Sequence, residues 1–118
     1  GDPRHIGRPT RYLFHASRSA AMPQELFGLN VVARLDVGTG RERRFDFGPA
    51  TLVEEHVFVP REGKAEGSGW LLGTAWHRVE RRTIVSVFDA QAVDAGPIAQ
   101  ATLPYGLPLG LHGAFVPA

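Results

Sequence analysis

The sequence predicts an all-β protein of about seven short strands that pair as antiparallel meanders. Runs rich in β-branched, aromatic and aliphatic residues recur along the chain, and segments containing glycine or proline separate them. No segment sustains the 3.6-residue apolar period of a long helix. These patterns are shared by sandwiches, barrels and propeller blades, so by themselves they select neither an architecture nor an enzyme class.

The composition sets the outer bounds on size, partners and compartment. The chain has 118 residues, of which 43% are hydrophobic and 21% are charged, and a net charge of +1. The size predicts one domain, and the near-neutral charge argues against nucleic acid as a partner. The chain has no cysteine, which excludes disulfides and thiolate metal sites and favours a reducing, cytoplasmic location. Since residue 1 is glycine and no signal peptide is recognised, we expect residues 1–118 to form a single partial domain cut from a longer protein.

The first half of the chain contains three predicted strands, at residues 12–16, 29–37 and 41–47. A basic lead-in precedes the first strand, and residues 17–24 lack any periodicity and are predicted as a loop. The second and third strands are separated by Gly38-Thr39-Gly40, which is typical of a β-hairpin.

The second half contains four predicted strands, at residues 53–61, 70–76, 83–89 and 97–104. The connections are short and mostly polar, and residues 90–96 are predicted to form a turn or a single helical turn. Strands that follow one another in this way form a β-meander.

Two adjacent carboxylates and a histidine occupy the strand predicted at residues 53–61. With strict alternation, Glu55 lies on one face with Val57 and Val59, whereas Glu54 and His56 lie on the other. One carboxylate would then point toward whatever the sheet covers, and the pattern does not select which. Adjacent glutamates near the end of a strand are more often simply solvated.

The last segment, residues 107–118, contains a single histidine, His112, within an apolar run that is typical of a strand. Burying a histidine is costly unless both ring nitrogens find partners. His112 is therefore either a core histidine whose ring nitrogens are both hydrogen-bonded or an inward-pointing residue that binds a ligand. The residues around it allow both interpretations.

Three stretches, in this order, resemble the C-terminal part of the carotenoid cleavage oxygenase family. Residues 2–12 are similar to a basic lead-in before an aromatic strand, and residues 55–61 are similar to the family's Glu-Pro-x-Phe-Val-Pro-Arg. Leu103-Pro104 and residues 110–115 are similar to its Leu-Pro and Gly-Phe-His-Gly-x-aromatic ending. The resemblance covers nearly all of the chain and implies the C-terminal blades of a seven-bladed β-propeller, as a partial fold.

The resemblance also implies a function. Family members are non-haem Fe(II)-dependent dioxygenases that use O2 to cleave a carbon–carbon double bond of a carotenoid, apocarotenoid or stilbene. One Fe(II) ion is held by four histidines; His112 matches the last of them, and the other three would lie outside this chain. Glu55 matches a glutamate that accepts a hydrogen bond from a ligating histidine, which orients the ring and raises its basicity.

The implied partners are an apolar conjugated substrate and O2, with no nucleic acid, and any peripheral membrane contact would lie in the region outside this chain. No catalytic side chain is assigned. Because one histidine cannot hold iron alone, we expect the isolated chain to be inactive. The alternative is a small all-β binding or structural module in which His112 is a core histidine and no catalysis occurs.

The sequence departs from the family pattern at two positions. His56 stands where the family usually has proline, and Leu111 stands where phenylalanine is commoner. We expect His56 to lie on the strand face opposite Glu55, at a position that tolerates substitution, and not to be a further metal ligand.

Overall fold

The computed structural model describes residues 11–104, so the lead-in before Arg11 and the segment with His112 and Leu111 lie outside the described residues. Within the described range there are seven β-strands and one short 3-10 helix, and the prediction of an all-β fold is confirmed. The elements are β1 (Tyr12–Ser17), β2 (Val31–Asp36), β3 (Glu42–Asp46), β4 (Thr51–Pro60), β5 (Gly69–His77), β6 (Arg82–Asp89), the 3-10 helix (Val93–Ala95) and β7 (Ala99–Leu103).

The strands form two antiparallel sheets in which every neighbour in space is also a neighbour in sequence. The first sheet has the order β1-β2-β3, and the second has the order β4-β5-β6-β7. The predicted hairpin and the predicted meander are both confirmed by these pairings. Across residues 11–104, no helix is long and apolar enough to cross a bilayer.

Tight turns join β2 to β3 and β5 to β6. In the β2–β3 turn, the Asp36 carboxylate accepts hydrogen bonds from the backbone N–H groups of Gly38 and Thr39, and Gly40 takes the positive φ of 72° that closes the turn. In the β5–β6 turn, Arg81 adopts a φ of 57°, and its N–H donates to the carbonyl of His77. These local interactions set the register of both hairpins.

The two sheets pack against each other through aromatic side chains. Phe88 of β6 is fully buried, and its ring lies 5.6 Å from that of Phe45 and 6.1 Å from that of Phe47. Closer to β1 and β4, the rings of Phe14 and Phe58 stack with centroids 5.2 Å apart. The core therefore lies between the sheets and holds β1 beside β4.

Asn30 fixes the connection from the first sheet to the second. Its side chain is fully buried, its amide nitrogen lies within hydrogen-bond distance of the Asp46 carboxylate and the Gly48 carbonyl, and its oxygen accepts from the N–H of Ser19. These bonds hold the chain as it leaves β3 and turns into β4. The orientation of β4 relative to the first sheet is thus set by the buried side-chain amide of Asn30, whose oxygen and nitrogen are both hydrogen-bonded.

A histidine, His56 of β4, is packed into this aromatic core. Its ring centroid lies 6.1 Å from that of Phe88 and 6.4 Å from that of Phe47. Its Nδ1 lies 3.4 Å from the carbonyl oxygen of Glu54. Burial lowers the pKa of His56, and this effect outweighs the opposite influences of that carbonyl and of the Glu55 carboxylate. The ring is therefore neutral near pH 7.

Replacing Phe88 with alanine should lower the free energy of unfolding by about 3–5 kcal/mol, because it opens a cavity between the sheets. Phe27 offers a matched control, since its side chain is 96% exposed. Phe27→Ala should change the free energy by no more than about 0.5 kcal/mol. Chemical denaturation of both variants measures the difference, and equal losses would contradict this account of the core.

The free energy of unfolding should fall with acidification through a contribution from His56. Its pKa is lower in the folded state than the unfolded value of 6.5, so the unfolded state binds more protons between the two values. The stabilising contribution is complete above the unfolded pKa and is lost as the pH falls through the folded pKa.

Denaturation between pH 8 and pH 5 measures this contribution when the protein is compared with the His56→Phe variant. The variant should lose less stability over that range, since the carboxylates titrate in both proteins and only the histidine is removed. Parallel pH profiles would show that His56 is not the group responsible.

Candidate functional site

A cleft opens where β1 of the first sheet runs beside β4 of the second. Its volume is about 190 Å³. Apolar side chains form part of its wall, and the polar residues at its surface are His15, Glu54, Glu55 and His56. The full lining consists of Phe14, His15, Ala16, Val32, Val53, Glu54, Glu55, His56 and Leu71.

A β-bulge in β4 determines how the carboxylates reach this cleft. Val53 pairs with Ala75 of β5, but His56 pairs with Gly73, so Glu54 and Glu55 together face the single residue Thr74. The predicted alternation is therefore wrong across this segment. An extra residue on one strand bends it and changes the direction of the side chains that follow.

The two carboxylates differ in their surroundings, although both line the cleft. Glu54 is partly buried, and its Oε1 is a buried atom with no hydrogen-bond partner among the described residues. Glu55 is exposed. The bulge breaks the alternation on which the expectation of a single inward-pointing carboxylate depended, and both residues line the same cleft. Glu54 was missed because nothing in the sequence marks the extra residue.

The structure places His56 differently from what the sequence led us to expect. The residues after the bulge do alternate, with His56 and Phe58 facing the first sheet. His56 and Glu55 both contribute to the lining of the cleft. Its close packing also argues against the expectation that position 56 tolerates substitution.

His15 is a second histidine at the cleft, to which the sequence assigned no role. Its Nε2 lies 3.2 Å from an oxygen of Glu42, and both side chains are about one-third exposed. Glu42 belongs to β3, on the far side of β2, so only the folded sheet brings the two together. This pairing connects His15 of β1 to β3 of the same sheet.

The residues of the cleft are better suited to supporting a metal ligand than to forming a complete set of metal ligands. Within residues 11–104, no group of three or more histidine, aspartate or glutamate side chains is placed to hold a metal ion. A carboxylate at the cleft surface can still accept a hydrogen bond from a histidine ligand supplied elsewhere. The assignment of Glu55 to that role, and of His112 to the metal, stays a prediction, since His112 lies outside the described residues.

Comparison with known families and curated proteins gives matches over most of the chain. The family model described as RPE65, retinal pigment epithelial membrane protein, matches residues 1–117. Lignostilbene-α,β-dioxygenase isozyme III from Sphingomonas paucimobilis is 31% identical over 99% of this chain and 26% of its own length. Resveratrol cleavage oxygenase 1 from Chaetomium globosum is 44% identical over 65% of this chain and 13% of its own length.

Solved structures agree with the sequence matches. The crystal structure of the cobalt-substituted apocarotenoid oxygenase from Synechocystis superposes with a TM-score of 0.84 and is 32% identical. It covers 98% of this chain, which corresponds to 24% of that protein. The chain therefore spans about a quarter or less of the length of these relatives. The two antiparallel sheets are blades of a β-propeller, as the resemblance implied, and the chain belongs to the carotenoid cleavage oxygenase family.

Proposed function

We propose that this chain is the C-terminal part of a dioxygenase that uses O2 to cleave a carbon–carbon double bond of a carotenoid, apocarotenoid or stilbene. The match of the family model to residues 1–117 supports the reaction class, and two relatives are named for the cleavage of resveratrol and for lignostilbene dioxygenation. These matches also disfavour the alternative of a small all-β module without catalysis.

The residue that we expect to bind the metal is His112, as one of four histidines, with the other three outside this chain. Fe(II) is the expected metal, and when bound it supplies the chemistry with O2. A neutral imidazole nitrogen is a suitable ligand for iron. The cobalt substitution named for the Synechocystis relative is consistent with a divalent-metal site in the family.

Glu55 is the described residue that we expect to support the site. The observation that carries this proposal is the β4 bulge, at which Glu55 lines the cleft between the two sheets. There it would accept a hydrogen bond from the ring N–H of a ligating histidine, so that the other ring nitrogen faces the metal. Glu55 thus holds a proton donor in place and does not itself react with the substrate.

An apolar conjugated substrate suits the wall of the cleft. Phe14, Val32 and Leu71 contribute apolar side chains to it, and burying such a substrate against them is favourable. We expect the choice between carotenoids and stilbenes to depend on residues outside this chain.

Replacing Glu55 with glutamine in the full-length protein should weaken metal binding by about 10- to 100-fold, as loss of a carboxylate partner of a ligating histidine typically does. Glu62→Gln is a matched control, because Glu62 lies on an exposed loop. Competition with a chromogenic chelator measures the affinity. If both variants bind the metal equally well, Glu55 does not have this role.

Replacing His112 with alanine should abolish iron occupancy of the full-length protein, since a metal ligand is removed. His77→Ala serves as the control, because His77 lies at the β5–β6 turn. Elemental analysis of the purified proteins gives the iron content. Unchanged iron in the His112 variant would overturn the ligand assignment.

The purified 118-residue chain, supplied with Fe(II) and O2, should not cleave a stilbene or an apocarotenoid. A single histidine ligand gives too little affinity to hold iron in place. Product analysis by chromatography, with a full-length relative as the positive control, tests this. Measurable turnover by the isolated chain would contradict the proposed sharing of the metal site.

A further inference from the structure

The ring of His56 sits in a notch that exists only because residue 73 is glycine. Gly73 of β5 is the residue that pairs with His56 across the sheet. A Cβ atom built on Gly73 would lie 2.2 Å from the Cγ and Cδ2 atoms of the histidine ring, far closer than real atoms approach. The ring therefore lies directly on the backbone of β5, and any side chain at position 73 would displace it.

A hydrogen bond joins the same ring to the bulge. Since a carbonyl oxygen can only accept, the Nδ1 of His56 carries the proton that is donated to the carbonyl of Glu54, 3.4 Å away. That carbonyl belongs to the peptide plane between Glu54 and Glu55. The bond therefore orients the plane that leads directly into Glu55.

The hydrogen bond is long, so the packing of the ring must hold its geometry. The rings of Phe47 and Phe88 lie on other sides of His56, with centroids 6.4 Å and 6.1 Å away. The Nε2 atom is buried and has no hydrogen-bond partner among the described residues. A buried acceptor without a partner is unfavourable, and a surface-facing rotamer would avoid that cost. The ring is thus held in this notch by its surroundings.

We propose that His56 is a positioning residue for Glu55: its ring, seated on Gly73 and hydrogen-bonded to the Glu54 carbonyl, fixes the bulge and thereby the direction of the Glu55 carboxylate at the cleft. The inference rests on the proposed function insofar as Glu55 supports a metal-ligating histidine. The same ring that fills the core between the sheets thereby sets the geometry of the cleft.

Two substitutions in the full-length protein remove this support by different routes. His56→Phe keeps an aromatic ring over Gly73 but lacks the Nδ1 donor, and Gly73→Ala keeps the histidine but fills the notch. Val93→Ala is the control for stability alone, because Val93 is a fully buried core residue that does not line the cleft. Each is made both alone and together with Glu55→Gln.

The first measurement is the affinity for Co(II), obtained by competition with a chromogenic chelator. His56→Phe and Gly73→Ala should each weaken binding by about 3- to 10-fold, a part of the roughly 10- to 100-fold loss expected on removing the carboxylate itself. Neither should weaken it further in the Glu55→Gln background, because the two residues act as a unit. Val93→Ala should lower the melting temperature and leave the affinity within about twofold.

The inference is overturned if His56→Phe leaves the affinity unchanged while Glu55→Gln weakens it. It is also overturned if His56→Phe weakens binding equally with and without Glu55→Gln.

The second measurement separates this inference from the proposed role of Glu55. Amide hydrogen exchange at residues 54–56, followed by mass spectrometry, reports the bulge without any metal. It should be faster in His56→Phe than in Val93→Ala. If Glu55→Gln has no effect on Co(II) affinity, the proposed function of Glu55 fails, and faster exchange in His56→Phe still supports the role of the ring in fixing the bulge. Unchanged exchange at these residues overturns that role, whatever the metal affinities are.

Discussion

The packing of aromatic rings between the two sheets is the interaction on which the rest of this structure depends. Phe88 is fully buried between the rings of Phe45, Phe47 and His56, and Phe14 stacks on Phe58 nearer to β1 and β4. Residues of β1 and β4 line a cleft of about 190 Å³ between the two sheets. Residues of both sheets line this cleft, so the candidate site depends on the contact between the blades.

The bulge in β4 allows both Glu54 and Glu55 to line this cleft. On a regular strand, adjacent side chains point to opposite faces, and only one of Glu54 and Glu55 could reach the cleft. The extra residue opposite Thr74 removes that restriction. Bulges are frequent beside active sites for this reason, since they redirect a side chain at little cost to the rest of the sheet.

The sequence predicted most of the fold because the signals for strands and turns are local. All seven predicted strands are present within a few residues of their predicted ends, and the predicted helical turn appears as the 3-10 helix at Val93–Ala95. The candidate site was predicted less completely. Glu55 was identified through its resemblance to a family motif, whereas Glu54 and the cleft position of His15 depend on pairings between separate strands.

The sequence by itself determined the strand content, the family and the identity of the two residues, Glu55 and His112, expected to serve a metal. Only the tertiary structure decided how the β4 bulge places Glu54 and Glu55 at the cleft and how the ring of His56 packs against β5. The missing Cβ of Gly73 and the ring of His56 are complementary only when β4 and β5 are paired in the observed register. A period of two along β4 does not show that this strand has an extra residue relative to β5, so the bulge and the placement of His56 are known only from the folded sheet.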